Sequence, residues 1–307
     1  MSITFKEVEH IYSESTPFAY HALKGVNLDI KNGSFTAVIG QTGSGKSTLI
    51  QHINALLLPS SGNIEIDDYV ITPANKPSGL KMLRKKAGLV FQFPEYQLFE
   101  ETIEKDIIFG PINFGISEDE AKQIAKEVIN IVGLDETYLD KSPFDLSGGQ
   151  KRRVAIAGIL AMNPDILILD EPTAGLDPQG ANEMMNLFKK INKSGKTIIL
   201  VTHDMNHVLQ YCDEVVVMNH GKVERHDSVV NIFKDSEYLN KLGIDLPIIT
   251  DFILKLNKGG FNINTSIKDI DELINVIGGE LNGCLLYTST DEEGHELLAQ
   301  LGMPFKK

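Results

Sequence analysis

The sequence predicts an α/β fold: a mainly parallel sheet covered on both faces by helices. Three observations predict it. From Ser147 onward strand and helix alternate, a glycine-rich loop at residues 40–48 joins a continuous apolar strand to a helix, and a helical stretch over about 100–162 separates two strand-rich halves. Alternation of strand and helix implies crossover connections, which lay parallel strands side by side and helices over both faces. With 307 residues, 42% of them hydrophobic, the chain has ample material for a buried core.

Residues 1–40 read as strands over Ile3 to Val8, Val26 to Ile30 and the wholly apolar Phe35 to Ile39, with Lys31-Asn32-Gly33 as a turn and Gly40 as the stop. Ser13 to Tyr20 is polar at its start and carries Pro17, so it reads as an extended loop between strands. Helical periodicity covers Ser47 to Leu57. Pro59-Ser60-Ser61-Gly62 ends it before a strand around Asn63 to Ile66, and a further apolar strand, Gly88 to Phe91, stops at Gln92.

Ser117-Glu118-Asp119-Glu120 matches a capping box ahead of the amphipathic run Ala121 to Val132, with Gly133 as its stop. A helix from Ser147 to about Met162 follows. Strand Ile166 to Asp170, helix Gly180 to Asn192, strand Thr197 to Thr202, helix Met205 to Tyr211 and strand Glu214 to Met218 then alternate. Asn219-His220-Gly221-Lys222 is a hairpin turn signal. Beyond about residue 235 the pattern weakens: a helix opens at Asp245-Leu246-Pro247, runs through Leu256 and closes at Gly259-Gly260, and another covers Asp269 to Val276. The expected division is a main α/β domain at 1–235 and a small helical extension at 236–307, a candidate for dimerisation.

Composition narrows the classes. Lys and Arg number 29 against 42 Asp and Glu, and a net charge of −13 is a poor start for gripping nucleic acid. Cys212 and Cys284 form no C-x-x-C pair, so neither a zinc knuckle nor a disulfide framework is indicated, and a reducing cytosol fits. No apolar run approaches the roughly 18 residues that span a bilayer, so other subunits would supply any pore.

Gly40-Gln41-Thr42-Gly43-Ser44-Gly45-Lys46-Ser47-Thr48 fits G-x-x-x-x-G-K-[ST] in the strand–loop–helix context its mechanism needs. Glycines let backbone amides turn inward around phosphates, and the helix N-terminus adds favourable partial charge. Lys46 would reach the β and γ phosphates of ATP, and Ser47 would hold Mg²⁺. Asp170 ends an apolar strand, at the sheet edge where such folds bind ligands, and would ligate Mg²⁺ through water; Glu171, one residue on, would polarise the attacking water. The run Leu146-Ser147-Gly148-Gly149-Gln150 exposes a second set of helix-start amides with no local anion, unless Ser147 simply caps the helix.

These motifs, with Gln92 between the first and third and His203 last, stand in an order that resembles the ATP-binding cassette (ABC) superfamily over about residues 3–235. The resemblance implies a P-loop NTPase domain of ABC type with an inserted helical subdomain. It implies that Ser147, Gly148, Gly149 and Gln150 close on the γ phosphate held by a second subunit in a head-to-tail dimer. His203 would contact that phosphate and orient the water, Gln92 would be a catalytic contact and metal ligand, and Asp177 of Ala174-Gly175-Leu176-Asp177 would link the two sites. For the aromatic stacked on adenine Tyr12 is the choice; Phe18 or Tyr20 are alternatives, as is core packing. The His203-to-His207 spacing superficially matches H-E-x-x-H for zinc, but Asp stands in for Glu and His203 ends a strand; His207 is expected on a helix surface.

Phe91-Gln92-Phe93-Pro94-Glu95-Tyr96-Gln97-Leu98-Phe99, continued by Glu101 to Pro111, is similar to the Q-loop region of energy-coupling factor (ECF) transporter ATPases, closer to the second of their two paralogues, and to the cobalt-importer ATPases called CbiO. That resemblance implies a first ATPase paralogue as heterodimer partner, with a homodimer as fallback. It also implies a transmembrane T component meeting residues 91–111, where Glu101, Glu104 and Asp106 are candidate contacts, and S components for vitamins or transition-metal ions. The place implied is the cytoplasmic face of a bacterial membrane. Rivals are a dedicated cobalt or nickel importer, a non-transport ABC ATPase, and a regulatory module without turnover. A single P-loop and only about 100 residues between it and the signature disfavour duplicated-cassette and DNA-repair types.

Overall fold

The computed structural model describes residues 2–73 and 79–280. Residues up to Asp245 form one compact unit and those from Leu246 another. The first opens with β1 (Ser2–Tyr12) and β2 (Tyr20–Lys31), then β3 (Phe35–Ile39), buried at every residue. In β2, buried Val26, Leu28 and Ile30 alternate with exposed Asn27, Asp29 and Lys31, the period of a sheet with one face on a core. Then come α1 (Lys46–Ile53), β4 (Ser61–Ile66), β5 (Tyr69–Ile71), α2 (Leu80–Lys86) and β6 (Ala87–Val90). Three helices, α3 (Ile103–Asn113), α4 (Glu118–Ile131) and α5 (Gly148–Leu160), pack on one another as the expected insertion. β7 (Ile166–Asp170), α6 (Pro178–Lys193), β8 (Thr197–Val201), α7 (Met205–Tyr211), β9 (Glu214–Asn219) and β10 (Lys222–Ser228) alternate as anticipated, followed by α8 (Val229–Lys234) and α9 (Ser236–Lys241).

The strands form two sheets. One is antiparallel, in the order β2-β1-β4-β5; the other runs β10-β9-β3-β8-β7-β6 and is parallel except for the β9–β10 hairpin. At that hairpin His220 (φ 47) and Gly221 (φ 82) both take the left-handed conformation, the geometry that matches the twist of its strands. One apolar cluster joins Val8 and Ile30 of the antiparallel sheet, Leu49, Ile50 and Ile53 of α1, and Ile168, Ile199 and Val216 of the parallel sheet. The helix that leaves the glycine-rich loop is thereby clamped in the core, which fixes the loop ahead of it.

Several expectations are corrected. His207 lies not on a surface but buried beside the Tyr211 ring, because α7 packs against α6 and α8. At Ser117 only half of the capping box forms, with the hydroxyl accepting from the Glu120 amide at 3.4 Å; the reciprocal box is at Ser147 and Gln150. Strand β5 and helix α2 were not expected, being too short for a periodic signal. The first compact unit reaches Asp245, and Leu239 and Ile244, beyond residue 235, are buried. In the second unit α10 (Ile248–Lys258) and α11 (Ile270–Glu280) share a cluster of Phe252, Ile253, Leu256, Ile263, Ile267 and Leu273. The part of the expected extension past residue 280 lies outside the described residues.

His10 and His52 meet in the core. His52 of α1 has Nδ1 2.7 Å from the Thr48 carbonyl and Nε2 3.2 Å from Nδ1 of His10 on β1. Burial lowers both pKa values, that of His52 from 6.5 to about 4. The unfolded chain therefore takes up a proton near pH 6.5 that the folded chain refuses until about pH 4, and stability present at neutral pH is lost as pH falls through that window. His52 alone accounts for about 2 kcal/mol between pH 7 and pH 5. The thermal midpoint should be several degrees lower at pH 5 than at pH 7, and His52→Gln, which cannot ionise, should narrow that gap.

Candidate phosphate-binding and hydrolysis site

Parallel pairing carries the ends of β3, β8, β7 and β6 to one edge of the sheet, so Gly40, Thr202-His203, Asp170-Glu171 and the segment reaching Gln92 emerge together. A cavity of about 370 Å³ is lined by Gly43, Gly45, Lys46, Ser47, Thr48, Gln92, Asp170 and Glu171, with Tyr20 at its rim. A neighbouring one of about 500 Å³ shares Thr42, Lys46 and Glu171 and adds Gly40, Gln41 and His203.

The loop's shape demands glycine at two positions. Gly40 has φ 149, and a Cβ there would sit 2.2 Å from the Met218 carbonyl oxygen; Gly45, which precedes α1 with φ 102, would meet the Ala22 carbonyl oxygen at 2.7 Å. Ser44 is buried, and its hydroxyl has no partner among the described residues. Lys46 Nζ donates to the carbonyls of Gly40 (2.7 Å) and Gln41 (3.0 Å), so the ammonium lies along its own loop. Burial lowers its pKa, opposed by Glu171 and Asp170.

Asp170 is pushed up chiefly by burial, while a hydrogen bond from Ser47 and the charge of Lys46 pull it down. Ser47, Asp170 and Gln92 thus offer a hydroxyl, a carboxylate and an amide oxygen in one cavity, a hard oxygen set of the kind Mg²⁺ takes. Glu171 has φ 48, a strained conformation for a non-glycine residue, with its N–H held 2.9 Å from the Val201 carbonyl. That turn brings its carboxylate within 3.0 Å of Nδ1 of His203, whose ring is 81% exposed. Both groups have polar atoms that can hydrogen-bond a water at this edge. His203 precedes α7 and His207 is buried within it, so the zinc-like pair shares no helix face.

The structure does not bring every expected residue to this edge. None of Ser147, Gly148, Gly149, Gln150 and Asp177 lines either cavity. Ser147 caps α5, accepting from the Gln150 amide at 3.4 Å while Gln150 Oε1 accepts from the Ser147 amide at 3.1 Å, and Asp177 caps α6 by accepting from Gly180 at 2.7 Å. A Cβ at Gly148 would meet nothing within 4 Å, and at Gly149 only Leu176 Cδ2 at 3.9 Å. Of the three aromatics, Tyr20 donates its hydroxyl to the Gly43 carbonyl (3.1 Å), and Phe18 is 84% exposed. Tyr12 lies edge-on to His10, its hydroxyl 3.2 Å from Thr48 Oγ1.

Sequence reasoning missed Arg152. It is 3% exposed, pairs with Glu95 and reaches the carbonyls of Pro172 and Ala174. The available signal was its place three and four residues before Ala155 and Ile156, on the buried stripe of its helix.

Residues 23–174 match the sequence model of the ABC transporter family. The chain is 51% identical over 274 residues to the energy-coupling factor transporter ATP-binding protein EcfA2 of Enterococcus faecalis, covering 89% of this chain and 95% of that one. It is 54% identical over 248 residues to the protein of the same name from Geobacillus kaustophilus, covering 80% and 86%. Among solved structures it resembles cbiO1 of Clostridium perfringens, described as part of the ABC transporter complex cbiONQ, with TM-score 0.68 and 42% identity over 80% of this chain and 96% of that one. It also resembles the dimeric ABC transporter cassette MJ0796, with TM-score 0.66 and 35% identity over 74% and 98%. A post-hydrolysis state of MJ0796 bound to ADP and Pi matches with TM-score 0.65 and 34% identity.

Two substitutions test the loop. Lys46→Ala should weaken binding of ATP in a fluorescence titration by tenfold or more, an effect of about 1.4 kcal/mol or above. Gly45→Ala should do the same through backbone displacement while leaving the ammonium in the chain.

Proposed function

The chain belongs to the family of energy-coupling factor transporter ATP-binding proteins, ABC-type ATPases, and from that premise we propose that it powers an importer as one of a pair of cassettes beneath transmembrane subunits. ATP with Mg²⁺ binds the loop at Gly40 to Thr48. Lys46 neutralises the β and γ phosphates, and Ser47, Asp170 and Gln92 are the residues that would hold the metal, which supplies charge stabilisation at the transferring phosphoryl group. Glu171 takes the proton of the attacking water, and His203 orients that water and contacts the γ phosphate. Tyr12 is the proposed adenine-stacking aromatic.

One observation carries the two-chain reading: the glycines at 148 and 149 serve no local need. Glycine in a helical turn is about 1 kcal/mol worse than alanine, and here neither a close contact nor a left-handed angle requires it. Bare amides at a helix start are suited to an anion that this chain does not itself bring there. The reading therefore places Ser147 to Gln150 against the γ phosphate on a partner cassette, with Asp177 between the sites. That partner is a second ATPase paralogue, or a second copy of this chain.

The segment at 91–111 is the proposed contact with the transmembrane T component, while S components choose among vitamins or transition-metal ions. The proposed place is the cytoplasmic face of the membrane; no described helix is long and apolar enough to cross it. The likeness to cbiO1 of the cbiONQ complex supports a second reading, a dedicated metal-ion importer. The subunits that co-purify from detergent-solubilised membranes decide between the two.

Glu171→Gln should bind ATP normally and lose 10²- to 10⁴-fold in phosphate release, about the worth of a general base. Gly148→Ala should leave the thermal midpoint unchanged or raised, and Gly148→Asp should abolish turnover in the assembled pair. Wild-type turnover by Gly148→Asp would overturn the two-chain site.

A further inference from the structure

We propose that Arg152 is a positioning residue that ties the segment after Gln92, the signature helix α5 and the turn after Glu171 into one rigid body. The proposal rests on the roles given above to Glu171 and the signature. Arg152 stands two residues after Gln150, is 3% exposed, and uses every nitrogen of its guanidinium. Nε and Nη2 donate to the two carboxylate oxygens of Glu95 at 3.1 and 2.8 Å. Nη1 donates to the carbonyl of Pro172 at 3.1 Å and to that of Ala174 at 2.7 Å. Glu95 lies three residues after Gln92, and Pro172 directly follows Glu171.

The fork geometry matters more than the charge. A bidentate pair fixes orientation as well as distance, and the third nitrogen makes the strand-end turn a party to it; a lysine ammonium could not hold all three. Stability is a poor explanation for such a device. Apolar residues of similar volume generally serve a buried position as well as an ion pair does, and α5 is already anchored by buried Val154, Ile156 and Ala157. What the fork adds is that a displacement of residues 92–95 moves the signature amides and the Glu171 backbone together. Such a tie would pass movement at the proposed membrane-facing segment to both halves of the chemistry without slack.

The test uses the full chain purified with its accompanying membrane subunits. Two variants are compared: the double variant Glu95→Gln/Arg152→Met, which removes the ion pair as a unit, and Arg152→Lys, which keeps the charge and loses the fork. Each is expected to keep a thermal midpoint within about 3 °C of the parent and a KM for ATP within about twofold, and to lose about tenfold or more in kcat, the scale of small misplacements of catalytic groups. A kcat within about twofold of the parent in both variants overturns the proposal, as does a loss of kcat matched by lost thermal stability or raised KM. Glu171→Gln runs alongside. If it too retains turnover, the underlying reading of Glu171 has failed and the inference falls with it; if it collapses while the Arg152 variants do not, only the inference fails.

Discussion

The site depends on four neighbouring strands that run in one direction and end together. Val38 and Leu169 of β3 and β7 flank β8 at Val201 and Leu200, and Val90 of β6 pairs with Leu169. In that register Asp170 ends opposite Val201, and the chain turns at Glu171 with its amide bound to the Val201 carbonyl. A slip of one residue in any of these pairings would send each side chain to the opposite face of the sheet. The apolar content of β3, β7 and β8, buried nearly throughout, makes such a slip expensive, so precision at the polar edge is a by-product of packing in the core.

That edge concentrates partly buried charge. Lys46, Asp170 and Glu171 share one cavity, and burial shifts both Lys46 and Asp170 toward their neutral forms while their mutual attraction opposes the shift. The strained φ of Glu171 belongs to the same logic, since a tight turn at the strand end is what carries its carboxylate to His203.

The second set of amides has no such environment. Ser147 and Gln150 form a complete cap, and between them a Cβ at Gly148 would meet nothing within 4 Å and one at Gly149 only Leu176 Cδ2 at 3.9 Å. On the proposed reading the cassette holds two partial sites, one rich in groups that would meet phosphate and one with amides and no anion of its own. In the interior Arg152 joins distant parts of the chain, where the loop after Gln92, α5 and the turn after Glu171 converge. On the proposal above, that buried side chain gives the two partial sites a shared frame.

Much of this was legible before any coordinates. The glycine-rich loop, the apolar strand ending in Asp170-Glu171 and the Leu146-to-Gln150 run are local patterns, because each mechanism needs particular residues at fixed spacing along the backbone. Strand–helix alternation likewise announced the parallel sheet. Tertiary structure alone decided the rest: that His207 is buried, that Glu95 and Arg152 meet across 57 positions of chain, that Tyr20 reaches Gly43 and Tyr12 reaches Thr48 of the glycine-rich segment, and that the first unit continues to Asp245. Local chemistry is written in neighbours along the chain. Burial and pairing between distant segments arise only when elements pack, and no spacing rule within one segment encodes which surface its neighbour will cover.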